Sequence, residues 1–182
     1  MLFLFIIAMV CVQRLIELWI AKRNEKWMLD KGAVEAGSSH YPFMIALHAS
    51  FFLSLLVEVI LFDRAISPSW QSLITLFLLT QAARIWCLLS LGRFWNTKIL
   101  VLPRAEVVKK GPYKFIRHPN YLIVTMEILL LPLLFQAYFT AIVFSLLNVA
   151  MLSVRIPEEE KALMKVTNYN EIFLHAKKDS RI

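Results

Sequence analysis

Five apolar runs dominate the chain, and each is long enough, or nearly so, to cross a bilayer. They cover about residues 2–20, 41–62, 70–91, 121–135 and 137–154. A spanning helix needs about 20 mostly apolar residues. The runs predict an all-α integral membrane protein, a single domain over residues 1–182 with about five transmembrane helices. Composition points the same way: 59% of residues are hydrophobic, against about 45–50% in a soluble domain. The last two runs share 34 residues, short for two spans. Pro132 and the polar Gln136 there suit a tight helical hairpin with a bent first arm.

The charges between the runs set an orientation. Residues 93–117 carry seven bases against one acid, Glu106. The loop after the first run carries Lys22, Arg23, Lys26 and Lys31, whereas the loop at 63–69 is nearly neutral. The positive-inside rule predicts both basic loops in the cytoplasm, an outside N-terminus and a cytoplasmic C-terminus. The net charge of +7 is thereby assigned to membrane topology and anionic headgroups, not to nucleic acid. The first run lacks a basic n-region and a small-residue cleavage pattern, so it reads as a retained helix. After the last run, Pro157 suits the first turn of a helix, and Glu158, Glu159 and Glu160 suit its dipole. With Leu163, Val166 and Phe173 as a partial apolar face, residues 157–175 are expected to form a cytoplasmic amphipathic helix.

Cys11 and Cys87 lie in apolar runs and read as inert thiols. His40, His48, His118 and His175 show no metal-ligand spacing, so no metal site is expected. The four glycines form no phosphate-cradling G-x-G-x-x-G loop.

Three groups of ionisable residues sit at or inside the expected membrane boundary, where charge is costly and marks candidate function. The first is "GPYKFIRHPNY", residues 111–121. Gly111-Pro112 marks a turn, His118 before Pro119 is biased toward extended backbone, and Pro119 can open the next helix. Arg117 and His118 then flank a helix N-terminus suited to an anion. For the arginine or either tyrosine alone an interfacial anchor is the readier reading, but such a belt does not require His-Pro. The second is "RIPEEEKAL", residues 155–163. Its bland reading is a capped, solvated helix start. A hairpin of the last two spans returns residue 155 to the level of residue 118, so both groups are expected at one cytoplasmic mouth. The third group is N-terminal. Arg14 and Glu17, three apart on one helical face, can pair; they read either as a structural pair or as a wall of a substrate cavity. Glu35, His40 and Tyr41 end the following loop, where His40 reads first as an interfacial residue.

The first two blocks together resemble the isoprenylcysteine carboxyl methyltransferase family, membrane enzymes that use S-adenosylmethionine. The family pattern is G-P-Y, three residues, R-H-P-x-Y, a helical hairpin, then R-I-x-x-E-E-x-x-L. Here it falls on Gly111, Pro112, Tyr113, Arg117, His118, Pro119 and Tyr121, then Arg155, Glu159, Glu160 and Leu163. The resemblance covers about residues 91–175. The chain departs from it at Ile123, where the family often has Gly, and at "VTNYNEIF", where many members have F-G-x-x-Y. The N-terminal half is more similar to small bacterial members, some of which resemble alkylpyrone methyltransferases.

The resemblance implies a methyltransferase in a bacterial cell membrane, its site facing the cytoplasm. Cofactor contacts are implied for Tyr113, Arg117, His118, Pro119, Tyr121, Glu159 and Glu160, and catalytic roles for Arg155 and Glu159. Arg14, Glu17, Glu35 and His40 are the candidates on the acceptor side. The acceptor is expected to be an acidic oxygen of a lipophilic molecule, an alkylpyrone or a prenylated cysteine carboxylate. A phospholipid N-methyltransferase, a sterol-type reductase and a non-catalytic membrane scaffold are the alternatives these residues leave open.

Overall fold

The computed structural model describes residues 1–169, and helices account for most of them. In chain order they are α1 (Leu2–Asp30), α2 (Tyr41–Leu61), α3 (Trp70–Leu91), α4 (Pro119–Leu134) and α5 (Tyr138–Val166). Four of these, all but α4, are long and apolar enough to cross a membrane. α4 has 16 residues, or about 24 Å at 1.5 Å per residue, short of a hydrocarbon core of about 30 Å. The protein is an integral membrane protein of the all-α class. Its wide belts of exposed leucine, isoleucine and phenylalanine are what lipid, not water, tolerates.

Two helices run past their expected ends. α1 does not stop near residue 20 but continues to Asp30. Its extension is rich in strong helix formers, and it is held from the side. Asn24 Nδ2 donates to the carbonyls of Gly92 (3.2 Å) and Trp95 (2.7 Å), and Asn96 Nδ2 donates to that of Ala21 (3.3 Å). Trp27 meets Phe94 edge-on, and the Arg93 guanidinium lies 5.3 Å from its ring centre. Gly32, at φ +86°, then ends the helix, its N–H bonded to the Leu29 carbonyl at 2.9 Å, as expected of glycine in the left-handed region.

The second overrun corrects the expectation of a separate helix starting at Pro157. α5 passes through Pro157 unbroken to Val166. An interior proline removes one hydrogen bond and crowds the preceding turn, at a cost of about 3 kcal/mol. Nineteen helical residues precede it, so no new nucleus is needed. The far end is also anchored: Arg104 N–H bonds the Val166 carbonyl at 2.9 Å, and Val107 N–H bonds Asn168 Oδ1 at 3.1 Å. The remainder of the expected 157–175 helix, including Phe173, lies outside the described residues.

The chain divides into two compact units. One comprises Met1–Ser38, Leu91–Lys109 and the chain from Ile156; the other comprises Ser39–Ser90 and Lys110–Arg155. The first contains an element the apolar pattern did not announce, a two-stranded antiparallel ribbon. Its strands are β1 (Val34–Ala36) and β2 (Ile99–Val101), with Glu35 opposite Leu100. The second unit contains α2, α3 and the α4–α5 hairpin. Pro132 stands inside α4, and the turn that follows places Gln136 at φ +54°.

Candidate functional site

The site begins with a turn that only glycine can make. Gly111 has φ +54°, and a Cβ there would collide with Ser90 of α3 and meet the Trp86 indole nitrogen at 2.9 Å. The turn continues as a short 3-10 segment, Gly111–Lys114, that buries Pro112 and Tyr113. His118 is the N-cap residue of α4, with φ −126° and ψ 62°, and Pro119 is the first helical residue. The expected start of this helix at Pro119 therefore stands, and His118 is held at its positive end.

Arg155 comes back from α5 to meet this end. It is buried, 5% exposed. Its Nε donates to the Tyr121 hydroxyl at 2.9 Å, and its guanidinium carbon lies 5.7 Å from the centre of the same ring. The His118 ring stacks on Tyr121, centroids 5.5 Å apart and planes 25° apart. One turn deeper, Asn148 Nδ2 donates to Thr125 Oγ1 at 3.0 Å, and that hydroxyl donates to the Tyr121 carbonyl at 2.9 Å. Tyr121 is thus the hub of a cluster that joins an arginine, an imidazole and a helix N-terminus. Such an arrangement attracts anions. Arg117 is exposed beside it.

Glu159 and Glu160 are half-buried in the last turns of α5, and Glu160 Oε1 accepts from the Tyr169 hydroxyl at 3.1 Å. Arg14 and Glu17 form the expected pair, Nη1 to Oε2 at 2.6 Å, with Gln13 Nε2 on the other carboxylate oxygen at 3.0 Å. Glu35 lies in the ribbon and accepts from Lys98 at 3.3 Å, and Lys98 also bonds Glu25 at 2.8 Å. The Glu25 hydrogen bond first, then that of Glu35, holds the Lys98 ammonium above its ordinary pKa. His40 caps α2 and is buried, its Nε2 without a hydrogen bond among the described residues.

The comparisons with known proteins bear on what this site is for. The sequence profile of the isoprenylcysteine carboxyl methyltransferase family matches residues 73–165, which include both motif blocks and the hairpin between them. The chain belongs to the isoprenylcysteine carboxyl methyltransferase family. It is a membrane methyltransferase of that kind. It is 50% identical over 163 residues to the uncharacterised protein YpbQ of Bacillus subtilis strain 168, covering 90% of this chain and 97% of that one. It is 28% identical over 151 residues to an uncharacterised protein of Haemophilus influenzae strain Rd, covering 82% and 88% of the two chains. No solved structure matches it.

Within the part matched by the isoprenylcysteine carboxyl methyltransferase profile, the tertiary structure adds polar residues that the motif reading passed over. Asn120, in the variable position of R-H-P-x-Y, has a buried Oδ1 with no hydrogen-bond partner among the described residues. Arg84 Nη1 donates to Glu127 Oε2 at 3.0 Å, and Gln81 Nε2 donates to Glu127 Oε1 at 2.8 Å, tying α3 to α4. Outside the matched part, Glu58 of α2 is 4% exposed. Their signal was present in the sequence, as charges inside apolar runs; their partners lie 43 and 82 residues away.

Proposed function

We propose that the chain is an S-adenosylmethionine-dependent O-methyltransferase. Its acceptor is an acidic oxygen, a carboxylate or an enolic hydroxyl, of a lipophilic molecule such as an alkylpyrone. The observation that carries the reading is the Arg155–Tyr121–His118 cluster at the open end of the α4–α5 hairpin. When bound, the cofactor supplies a methyl group made electrophilic by its sulfonium. The residues fit that molecule. Arg117, His118 and the α4 N-terminus behind Pro119 suit its carboxylate. The buried, unmatched Oδ1 of Asn120 suits an ammonium, amino or hydroxyl donor, since a buried acceptor left bare costs about 1–3 kcal/mol. Glu159 and Glu160 suit the ammonium, and the faces of Tyr113 and Tyr121 suit the adenosine.

An acidic oxygen is a nucleophile once ionised, so the chain has to align it and exclude water from it. Arg155 holds the acceptor anion. Glu159, four residues further along the unbroken α5, takes the proton of an enolic acceptor. On the N-terminal side, His40 has a buried nitrogen open to a polar acceptor group, while Arg14, Glu17 and Glu35 act through the ion pairs they already make. The basic loops support a site open to the cytoplasm, and both relatives are bacterial, which supports a bacterial cell membrane. A prenylated cysteine carboxylate would meet the same residues.

Calorimetry on the detergent-purified protein tests the reading. Wild-type protein binds S-adenosylmethionine, His118→Ala and Glu159→Ala abolish binding, and Arg155→Ala keeps affinity while turnover falls about 10²–10³-fold, as for loss of one charge-stabilising donor. Full affinity in both of the first two variants overturns the site assignment.

A further inference from the structure

The loop before α4 exposes apolar and basic side chains next to one another. Its 3-10 segment, Gly111–Lys114, turns Pro112 and Tyr113 inward and leaves Lys114, Phe115, Ile116 and Arg117 outside, with Lys110 exposed just before it. Phe115 is 76% exposed, beyond every other large apolar side chain but Met1 among the described residues, and Ile116 is 44% exposed. The backbone beneath them is pinned, since the Pro112 carbonyl accepts the Phe115 N–H at 3.1 Å and the Ile116 N–H at 3.0 Å. No Asp or Glu lies between Val107 and Leu122, so the lysines have no counter-charge of their own stretch.

The length of the α4–α5 hairpin says how deep this loop lies. α4 rises about 24 Å, and α5 rises about 26 Å from Tyr138 to Arg155. The hydrocarbon core is about 30 Å thick. With the turn of the hairpin at one face of the core, the α4 N-terminus stops about 4–6 Å inside the other. The residues before Pro119 cross what remains, and Phe115 and Ile116 are their exposed apolar side chains. Leu122, one turn into α4, is 50% exposed, so apolar exposure resumes as the helix begins. We propose that residues 110–117 form a wedge seated in one leaflet, with Phe115 and Ile116 among the acyl chains and Lys110 and Lys114 on the phosphates of anionic phospholipids. Apolar side chains below and lysines above are what an interfacial segment requires, and anionic headgroups complete the lysines. The positive-inside rule assigns that leaflet to the cytoplasmic side. The wedge leads straight into His118, so its seating fixes the depth at which the α4 N-terminus is held. Seating needs no catalysis, so it stands or falls apart from the methyltransferase reading.

Spin-label accessibility measures the seating. Nitroxide labels are placed at Phe115→Cys and, separately, at Ile116→Cys of the full chain carrying Cys11→Ser; Cys87 is fully buried. In nanodiscs of phosphatidylcholine mixed with phosphatidylglycerol, both labels are expected to meet lipid-soluble oxygen roughly threefold more than a water-soluble nickel chelate. A label at Asp30→Cys, about 42 Å along α1 from Leu2, prefers the chelate. Phosphatidylcholine alone, or Lys110→Gln with Lys114→Gln, lowers the oxygen preference at 115 by about half. Ile116→Cys repeats the reading should Phe115→Cys not fold. Chelate access at 115 and 116 equal to that at 30, or shielding from both reagents by protein, overturns the wedge. An oxygen preference indifferent to lipid charge and to the two lysines overturns the headgroup contact.

Discussion

The two ends of the α4–α5 hairpin use the same kinds of residue to opposite effect. At the turn, every donor that matters is matched by the protein. Glu58 Oε2 takes the Thr140 N–H at 2.8 Å and its hydroxyl at 2.7 Å, while Oε1 takes the Phe139 N–H at 3.2 Å and Arg64 at 3.4 Å. Ser67 N–H bonds the Leu134 carbonyl at 2.9 Å, and Gln136 Nε2 bonds that of Ile66 at 3.1 Å. A carboxylate from α2 thus caps the start of α5, where the dipole favours it. At the open end, Arg117, Arg155 and the α4 N-terminus gather positive charge beside the His118 imidazole, and a buried acceptor on Asn120 has no partner among the described residues. The difference teaches that a buried carboxylate is structural where the fold completes its shell, whereas a buried acceptor bare among the described residues, such as Asn120 Oδ1, invites a ligand.

Removing the completed shell is the strongest way to break this comparison. Glu58→Ala leaves the Thr140 and Phe139 donors bare and is expected to lower stability by about 3–5 kcal/mol, measured by denaturant unfolding in detergent. The affinity of the folded fraction for S-adenosylmethionine should not change. A loss under about 1 kcal/mol, or an affinity that falls with it, means that the two ends are not distinct in function.

The Arg84–Glu127 pair sharpens it, because it lies between the ends of α4 with both side chains almost fully buried. If it belongs with the structural end, Glu127→Leu alone costs several kcal/mol, since a buried guanidinium loses its partner, while Arg84→Met with Glu127→Leu is near neutral. A double variant that folds as well as wild type yet loses turnover would move the pair to the ligand side. A double-mutant cycle on stability, run beside a methyl-transfer assay, decides it.

The smallest effect belongs to the first unit. Lys98, bonded to Glu25 and Glu35, has its pKa raised in the folded state. A raised value on a base stabilises the fold below the unfolded pKa, about 10.4 for lysine, and that contribution is lost as pH climbs through the folded value. The pair is partly exposed, so Lys98→Met should lower Tm by only about 1–2 °C at pH 8. Its gap to wild type should begin to narrow near about pH 10.4 and close once pH passes the raised folded value. A gap that persists in strong alkali assigns the loss to packing of the lysine stem instead.

Much of this architecture is decided locally and could be read without coordinates. Hydropathy runs placed α2 and α3 to within a residue of their ends, because a span is a property of its own composition. Pro119 announced the start of α4, since a proline at the first helical position needs no neighbour to act. Arg14 and Glu17, three apart on one helix, announced their own pairing. The motif blocks named Tyr121 and Arg155, although not that one would hydrogen-bond the other.

Other features depend on partners distant in the chain, and only the tertiary structure decided them. α1 runs to Asp30 because Asn24 and Trp27 are met by residues 92–95, and α5 runs through Pro157 because Val166 is held by Arg104. The sequence also showed charges at 58, 84 and 127 without showing whether they were paired, since each answer lies on another helix. Hydrophobicity and helical propensity act over a few residues, and so they are written in the order of the chain. Whether a buried charge finds its counterpart, or stands open to a ligand, is settled by which helices the fold lays side by side.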